Sequence, residues 1–127
     1  MSDFANNLFQ RFGSFARYVV VRRQLSEIAR LIDTLSTSER RTLVTHAARE
    51  IELSSKESRE ASTTNAGFIR ARSENSKVRI IGISQWIASA FRETEFSPHN
   101  EMQDLHRQIM RLMRLLKENT VAGSRAA

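Results

Sequence analysis

Cysteine is absent from this 127-residue chain, and proline and glycine are scarce, with one and four residues respectively. Without cysteine there is no disulfide, no thiol nucleophile and no thiolate metal ligand. Connections between β-strands use glycine and proline heavily, so their scarcity argues against a β-rich fold and favours a few long helices. The sequence therefore predicts an all-α protein.

Long hydrophobic runs are also lacking. No segment approaches the roughly 20 apolar residues that a transmembrane helix needs. The most apolar stretch near the start, residues 9–21, is interrupted by Gln10, Arg11, Ser14 and Arg17, which a secretory signal would not tolerate. An Arg-rich amphipathic start is also typical of organellar transit peptides, but we expect a soluble cytoplasmic protein.

Basic residues exceed acidic ones, 20 to 14, giving a formal net charge of +6. Arginine, which makes bidentate contacts with phosphate and carboxylate groups, accounts for nearly all of the basic residues. This charge permits binding to nucleic acid or anionic lipid without requiring it.

The first 24 residues are unusually rich in aromatic side chains. At about 100° per residue, one helical face of this segment collects five large apolar side chains. They are Phe4, Leu8, Phe12, Phe15 and Val19. Such a face must be buried, and we rank its own fold or a homo-oligomer first, another protein second, and a membrane surface third. If a second copy or another protein buries this face, these five residues are a partner-binding surface.

The rest of the first helix, to about Leu35, has its apolar residues in a different phase. Val21, Leu25, Ile28, Ile32 and Leu35 follow a spacing of four and three residues, which is typical of lengthwise helix packing. The phase change between Val19 and Val21, with Gly13 nearby, predicts a kink or two abutting helices. Residues 4–19 and 21–35 should therefore face different neighbours.

Capping signals divide the remaining chain. Ser36 followed by Glu39 is a capping box that predicts a turn and a second helix to about Leu53, which forms an antiparallel hairpin with the first. The polar segment 54–66 reads equally well as helix or loop. A C-terminal hairpin over 76–119 follows, with Asn75 as a cap and Ser97-Pro98 as the start of its second helix.

The sequence thus predicts a single helical domain over residues 1–120, with the N-terminal aromatic helix at 3–20. Two helical hairpins would form either a four-helix bundle or an extended helical assembly. Gly123 is the predicted end of the last helix, and residues 121–127 are predicted to be a disordered tail.

The last helix carries a regular apolar seam. Its residues repeat every three or four positions, as in helices that pack along one another. They are Met102, Leu105, Ile109, Leu112 and Leu116. We predict that this seam joins subunits of an oligomer.

Catalytic patterns are not found. His46, His99 and His106 lack the spacing of a helical metal site, no serine lies in a nucleophile elbow, and the glycines are too scattered for a phosphate-binding loop. We therefore expect no enzyme activity, no metal, no cofactor and no small-molecule substrate.

A degenerate helix-turn-helix is the main alternative, at residues 77–92 with the turn at Gly82. Ser84 and Gln85 would then face bases, and Arg79 and Arg92 phosphates. Arg107, Arg111 and Arg114 form a separate basic stripe on the last helix, with Asp104 and Glu118 placed to pair with it.

These patterns favour a non-catalytic helical interaction protein: an adaptor, assembly or regulatory subunit acting through amphipathic helices in a homo- or hetero-oligomer. A protein partner or self-association is expected. The alternatives are a nucleic-acid-binding regulator and a peripheral membrane protein anchored by Phe4, Phe9, Phe12 and Phe15.

Overall fold

The computed structural model describes the backbone of residues 2–56 and 63–126, and the side chains of residues 13, 15–53 and 64–118. Five helices and no strand occur in these residues. The helices are α1 (Ser2–Asp33), α2 (Thr37–Lys56), α3 (Thr63–Ala71), α4 (Ser76–Glu95) and α5 (Asn100–Ala126). The predicted all-α fold is confirmed.

The predicted caps at the starts of α2 and α4 are both present. The Ser36 hydroxyl accepts a hydrogen bond from the Glu39 amide at 3.1 Å, and the Glu39 carboxylate accepts one from the Ser36 amide at 2.9 Å. Asn75 caps α4 by accepting hydrogen bonds from the amides of Lys77 and Val78. Each cap satisfies backbone N–H groups that have no partner within the helix.

The polar segment 54–66 is helical at both of its ends. Helix α2 continues through Lys56 and α3 begins at Thr63. Residues 57–62 lie outside the described part of the chain.

Helix α4 has the central position, because it packs against α2, α3 and α5. Helix α1 packs against α3 and α5, and α2 packs against α4 and α5. The two helices of the predicted first hairpin therefore make their main contacts with other helices rather than with each other. Every helix contributes to one apolar core. Its buried residues are Val21, Leu25, Ile28 and Ile32 of α1, Leu43 and Ala47 of α2, Ala71 of α3, Ile80, Ile83, Trp86, Ile87 and Ala90 of α4, Met102, Leu105, Ile109 and Leu116 of α5, and Leu35 of the first turn.

Two glycines allow α3 and α4 to touch backbone to backbone. A Cβ atom added to Gly82 would lie 2.2 Å from the Ala71 nitrogen, and one added to Gly67 would lie 2.7 Å from the Trp86 nitrogen. The predicted turn at Gly82 is wrong, since α4 is continuous through this residue. Gly82 is instead where a second helix comes too close for any side chain.

The structure departs from the predictions in the continuity of α1 and at both ends of α5. Helix α1 is one continuous helix rather than two abutting ones. Helix α5 begins two residues later than predicted, because the His99 carbonyl accepts its first hydrogen bond, from Gln103. It also runs to Ala126, past Gly123, since a glycine weakens a helix by only about 1 kcal/mol and does not break it. The predicted disordered tail is therefore wrong for residues 121–126.

Candidate protein-interaction surface

Phe15 and Val19 form an uncovered apolar surface on α1, which we call the α1 patch. Phe15 is 57% exposed and Val19 is 38% exposed, although both belong to the face that the sequence predicts to be buried. The other predicted members, Phe4, Leu8 and Phe12, have side chains outside the described residues. For Phe15 and Val19, burial within the protein's own fold is wrong.

The second half of α1 packs against the core through a different side of the helix from the α1 patch. Val21, Leu25, Ile28 and Ile32 are buried there. At about 100° per residue, this buried stripe lies roughly 130° around the helix from the α1 patch. The predicted change of neighbour between residues 4–19 and 21–35 therefore holds for the described residues, because one part is buried and the other faces solvent.

An ion pair fixes α1 beside the patch. The Arg17 guanidinium binds the Glu93 carboxylate of α4 with two N–H groups, the second at 3.0 Å. This hydrogen bonding raises the pKa of Arg17 above its ordinary value. The Thr64 hydroxyl of α3 donates to the same carboxylate at 3.4 Å, so three helices meet at Glu93.

A buried amide network fixes α1 two turns further along. The Trp86 indole donates to the Gln24 side-chain oxygen at 2.8 Å, and the Gln24 amide nitrogen donates to Asn65 at 3.0 Å. Since Gln24 and Trp86 are buried, each donor and acceptor needs such a partner. These contacts also show that α1 runs antiparallel to α4 and that its orientation is specified by polar contacts.

Cationic and aromatic groups border the patch. The rings of Phe15 and Tyr18 lie 6.2 Å apart, and the Arg22 guanidinium lies 5.8 Å from the centre of the Tyr18 ring. Arg22 also donates to the Tyr18 hydroxyl at 3.2 Å. The exposed surface thus combines an apolar centre with a guanidinium one to two turns away.

The α5 seam does not have the predicted role. Met102, Leu105, Ile109 and Leu116 are buried within the chain's own core, and Leu112 packs partly buried against it. The prediction that this seam joins subunits is wrong, because the other helices already cover it. Periodicity correctly identified the apolar face but not its neighbour.

The predicted nucleic-acid residues on α4 are mostly engaged or buried. Ser84 is only 1% exposed and donates its hydroxyl to the Ile81 carbonyl. Gln85 accepts a hydrogen bond from Arg70, Arg79 donates to the carbonyls of Ser73 and Glu74, and Arg92 is half-buried. The helix-turn-helix prediction is wrong in two respects. There is no turn at Gly82, and Ser84 is buried and cannot face bases.

Several ionisable groups in the described residues have structural partners. No group of three or more histidine, aspartate or glutamate side chains in residues 13, 15–53 and 64–118 could hold a metal ion. The His106 ring packs on Phe91 with 4.8 Å between ring centres, and its Nδ1 lies 3.0 Å from the Thr94 hydroxyl. Arg30 lowers the pKa of Glu27 by hydrogen bonding, and the amide and hydroxyl of Ser36 lower that of Glu39.

Comparisons with known proteins give no further identification. No family model matches the chain, and neither a curated protein nor a solved structure is similar to it. Within the described helices, none combines the length and apolarity needed to cross a bilayer.

Proposed function

We propose that this chain is a non-catalytic helical interaction protein, an adaptor, assembly or regulatory subunit, whose protein partner covers the α1 patch. The exposure of Phe15 and Val19 carries this proposal. Both lie on a helix that polar contacts hold in one orientation, so the patch is presented by a rigid support. Large contiguous apolar patches mark interaction sites in soluble proteins, and the face predicted for Phe4, Leu8 and Phe12 would extend this one.

A second copy of the chain is the partner that the geometry suits first. Two copies of α1 can pair antiparallel about Phe15, which brings the two patches together around a two-fold axis. With a rise of about 1.5 Å per residue, the two Arg22 residues would then stand about 21 Å apart. That separation exceeds the Debye length of about 8 Å, so their like charges would not oppose pairing at physiological salt.

The described patch supplies a substantial but incomplete driving force. Full burial of a Phe or Val side chain stabilises by about 1.5–3 kcal/mol, so covering the exposed fractions gives about 2 kcal/mol per copy. Two copies give about 4 kcal/mol, or about a thousandfold in Kd. A stable dimer needs more area than two residues expose, so we expect the interface to continue along the face predicted for Phe4, Leu8 and Phe12.

A cysteine-free chain allows a direct proximity test. Ala16→Cys places one thiol beside the patch while Phe15 and Val19 stay intact, and Ala48→Cys places one on the exposed side of α2. We expect a short bis-maleimide to link Ala16→Cys into covalent dimers much faster than Ala48→Cys. Equal rates for the two variants would show that the patch does not meet a second copy.

The membrane alternative keeps one supporting observation, the presence of arginine near exposed aromatic rings. An interfacial helix, however, needs its cations on the face opposite its apolar residues. Arg22 is seven residues from Phe15 and therefore lies on the same face. Flotation with phosphatidylserine vesicles tests this alternative, which requires binding that is lost when Phe15 and Val19 are replaced.

A further inference from the structure

Most of the described arginines have a defined structural contact. Arg17 and Arg30 form ion pairs, Arg40 and Arg79 donate to backbone carbonyls, Arg70 binds Gln85, Arg22 stacks on Tyr18, and Arg72 stacks on Phe68. Among the described residues, Arg23, Arg41 and Arg49 also have no such contact and are dispersed over α1 and α2, whereas three further arginines without one lie close together on α5. They are Arg107, Arg111 and Arg114, and all three side chains are exposed.

These three residues form one row, which we call the α5 row. Their spacing of four and three residues places them on a single helical face, over about 10.5 Å along the axis. The opposite face contains Leu105, Ile109 and Leu116, all buried in the core. Burial of that face fixes the α5 row toward solvent.

Carboxylates do not neutralise the row. The sequence from Leu105 to Lys117 contains no acidic residue. The Asp104 carboxylate, which could pair with Arg107 or Arg111, accepts a hydrogen bond from the Gln108 amide at 2.8 Å. Within the described residues, neither Asp104 nor Glu118 lies within ion-pair distance of the α5 row.

We propose that the α5 row binds the phosphate backbone of double-stranded nucleic acid. One strand of a duplex has a phosphate every 3.4 Å or so along the axis, so the row spans about three phosphate intervals. Guanidinium groups bind phosphate oxygens with paired N–H donors, and such contacts do not depend on base sequence. This site is separate from the α1 patch and does not depend on it.

A lipid surface suits the row less well. Binding in a membrane interface requires a helix to insert its apolar face, and that face of α5 is occupied by the core. Met110 and Leu115 are partly exposed but lie on opposite flanks of the row. They therefore do not form a continuous apolar strip beside it.

Salt dependence of duplex binding tests the proposal. We compare the wild type with Arg107→Gln/Arg111→Gln/Arg114→Gln by fluorescence anisotropy on a short labelled DNA duplex. Three phosphate contacts contribute a slope of about −2.7 in log Kobs against log salt, or about 40-fold in affinity between 50 and 200 mM. We expect the row variant to lose that slope while its circular dichroism stays unchanged.

A charge-matched control separates the row from net charge. Arg23→Gln/Arg41→Gln/Arg49→Gln removes three exposed arginines that are dispersed over α1 and α2, and it leaves the row intact. We expect this control to keep the wild-type slope. Equal losses in both triple variants, or no wild-type binding at the lowest salt, would overturn the proposal. Row-dependent binding to phosphatidylserine vesicles without duplex binding would overturn it in favour of a lipid surface.

Discussion

The close approach of α3 and α4 makes Gly82→Ala a severe substitution despite its small size. The added Cβ would lie 2.2 Å from the Ala71 nitrogen and 2.5 Å from the Arg70 carbonyl carbon. Ordinary contact distances are about 3.5–4 Å. Because both atoms belong to the backbone of α3, no side-chain rotation relieves the clash, and α3 must move away by about 1 Å or more.

The expected cost follows from two opposing terms. Overpacking a close-packed interior costs about 1–3 kcal/mol or more, and a gap of 0.5–1 Å forfeits about a quarter to a half of the dispersion contacts along the crossing. Replacing a mid-helix glycine with alanine stabilises the helix by about 1 kcal/mol, because alanine has the higher helix propensity. We expect Gly82→Ala to lower the free energy of unfolding by about 2 kcal/mol.

Gly13 supplies the matched control. A Cβ added there meets nothing within 4 Å. Gly13→Ala should therefore raise stability by about 0.5–1 kcal/mol. Urea unfolding followed by far-ultraviolet circular dichroism measures both changes as shifts in the midpoint at constant m. A Gly82→Ala variant as stable as Gly13→Ala would refute the backbone contact between α3 and α4. It would also call for a different position of α3, against which α1 packs.

Two further changes test the contacts and caps. Gln24→Leu leaves the buried Trp86 indole without its acceptor and should cost about 1–3 kcal/mol in urea unfolding followed by Trp86 fluorescence; wild-type stability would contradict the network. Glu39→Gln tests the capping box, whose hydrogen bonds lower the pKa of Glu39 in the folded state. The wild-type advantage over this variant should be present above the ordinary pKa of 4.5 and disappear as pH falls through the lowered value. A difference that is constant from neutral to acidic pH would show that the carboxylate does not contribute.

Local signals in the sequence predicted local structure well. The Ser36–Glu39 box and the Asn75 cap depend on contacts within three residues, and both form as expected. The all-α fold follows from the scarcity of glycine and proline together with helical periodicity. The change of phase within α1 was also visible, because it is a property of one helix.

Contacts between distant segments could not be predicted in the same way. Periodicity identifies the apolar face of α5 but does not say whether another helix of the same chain covers it, and here it does. Gly82 has two readings, a turn or a close helix crossing, and only the position of α3 distinguishes them. The partners of Gln24 and Arg17 lie more than 40 residues away along the chain and have no local signal.

The oligomeric mass of the full chain tests the central claim, that the α1 patch is a protein interface. We propose light scattering over a concentration series on the wild type and Phe15→Gln/Val19→Gln, with Ile69→Gln/Phe96→Gln as a control that removes two more exposed apolar side chains elsewhere. Glutamine has a higher helix propensity than the residues it replaces in α1, so the helix should persist. The account predicts a dimer or larger species for the wild type and the control, and a 14.6 kDa monomer for the patch variant. A patch variant with the same mass as the wild type would contradict it.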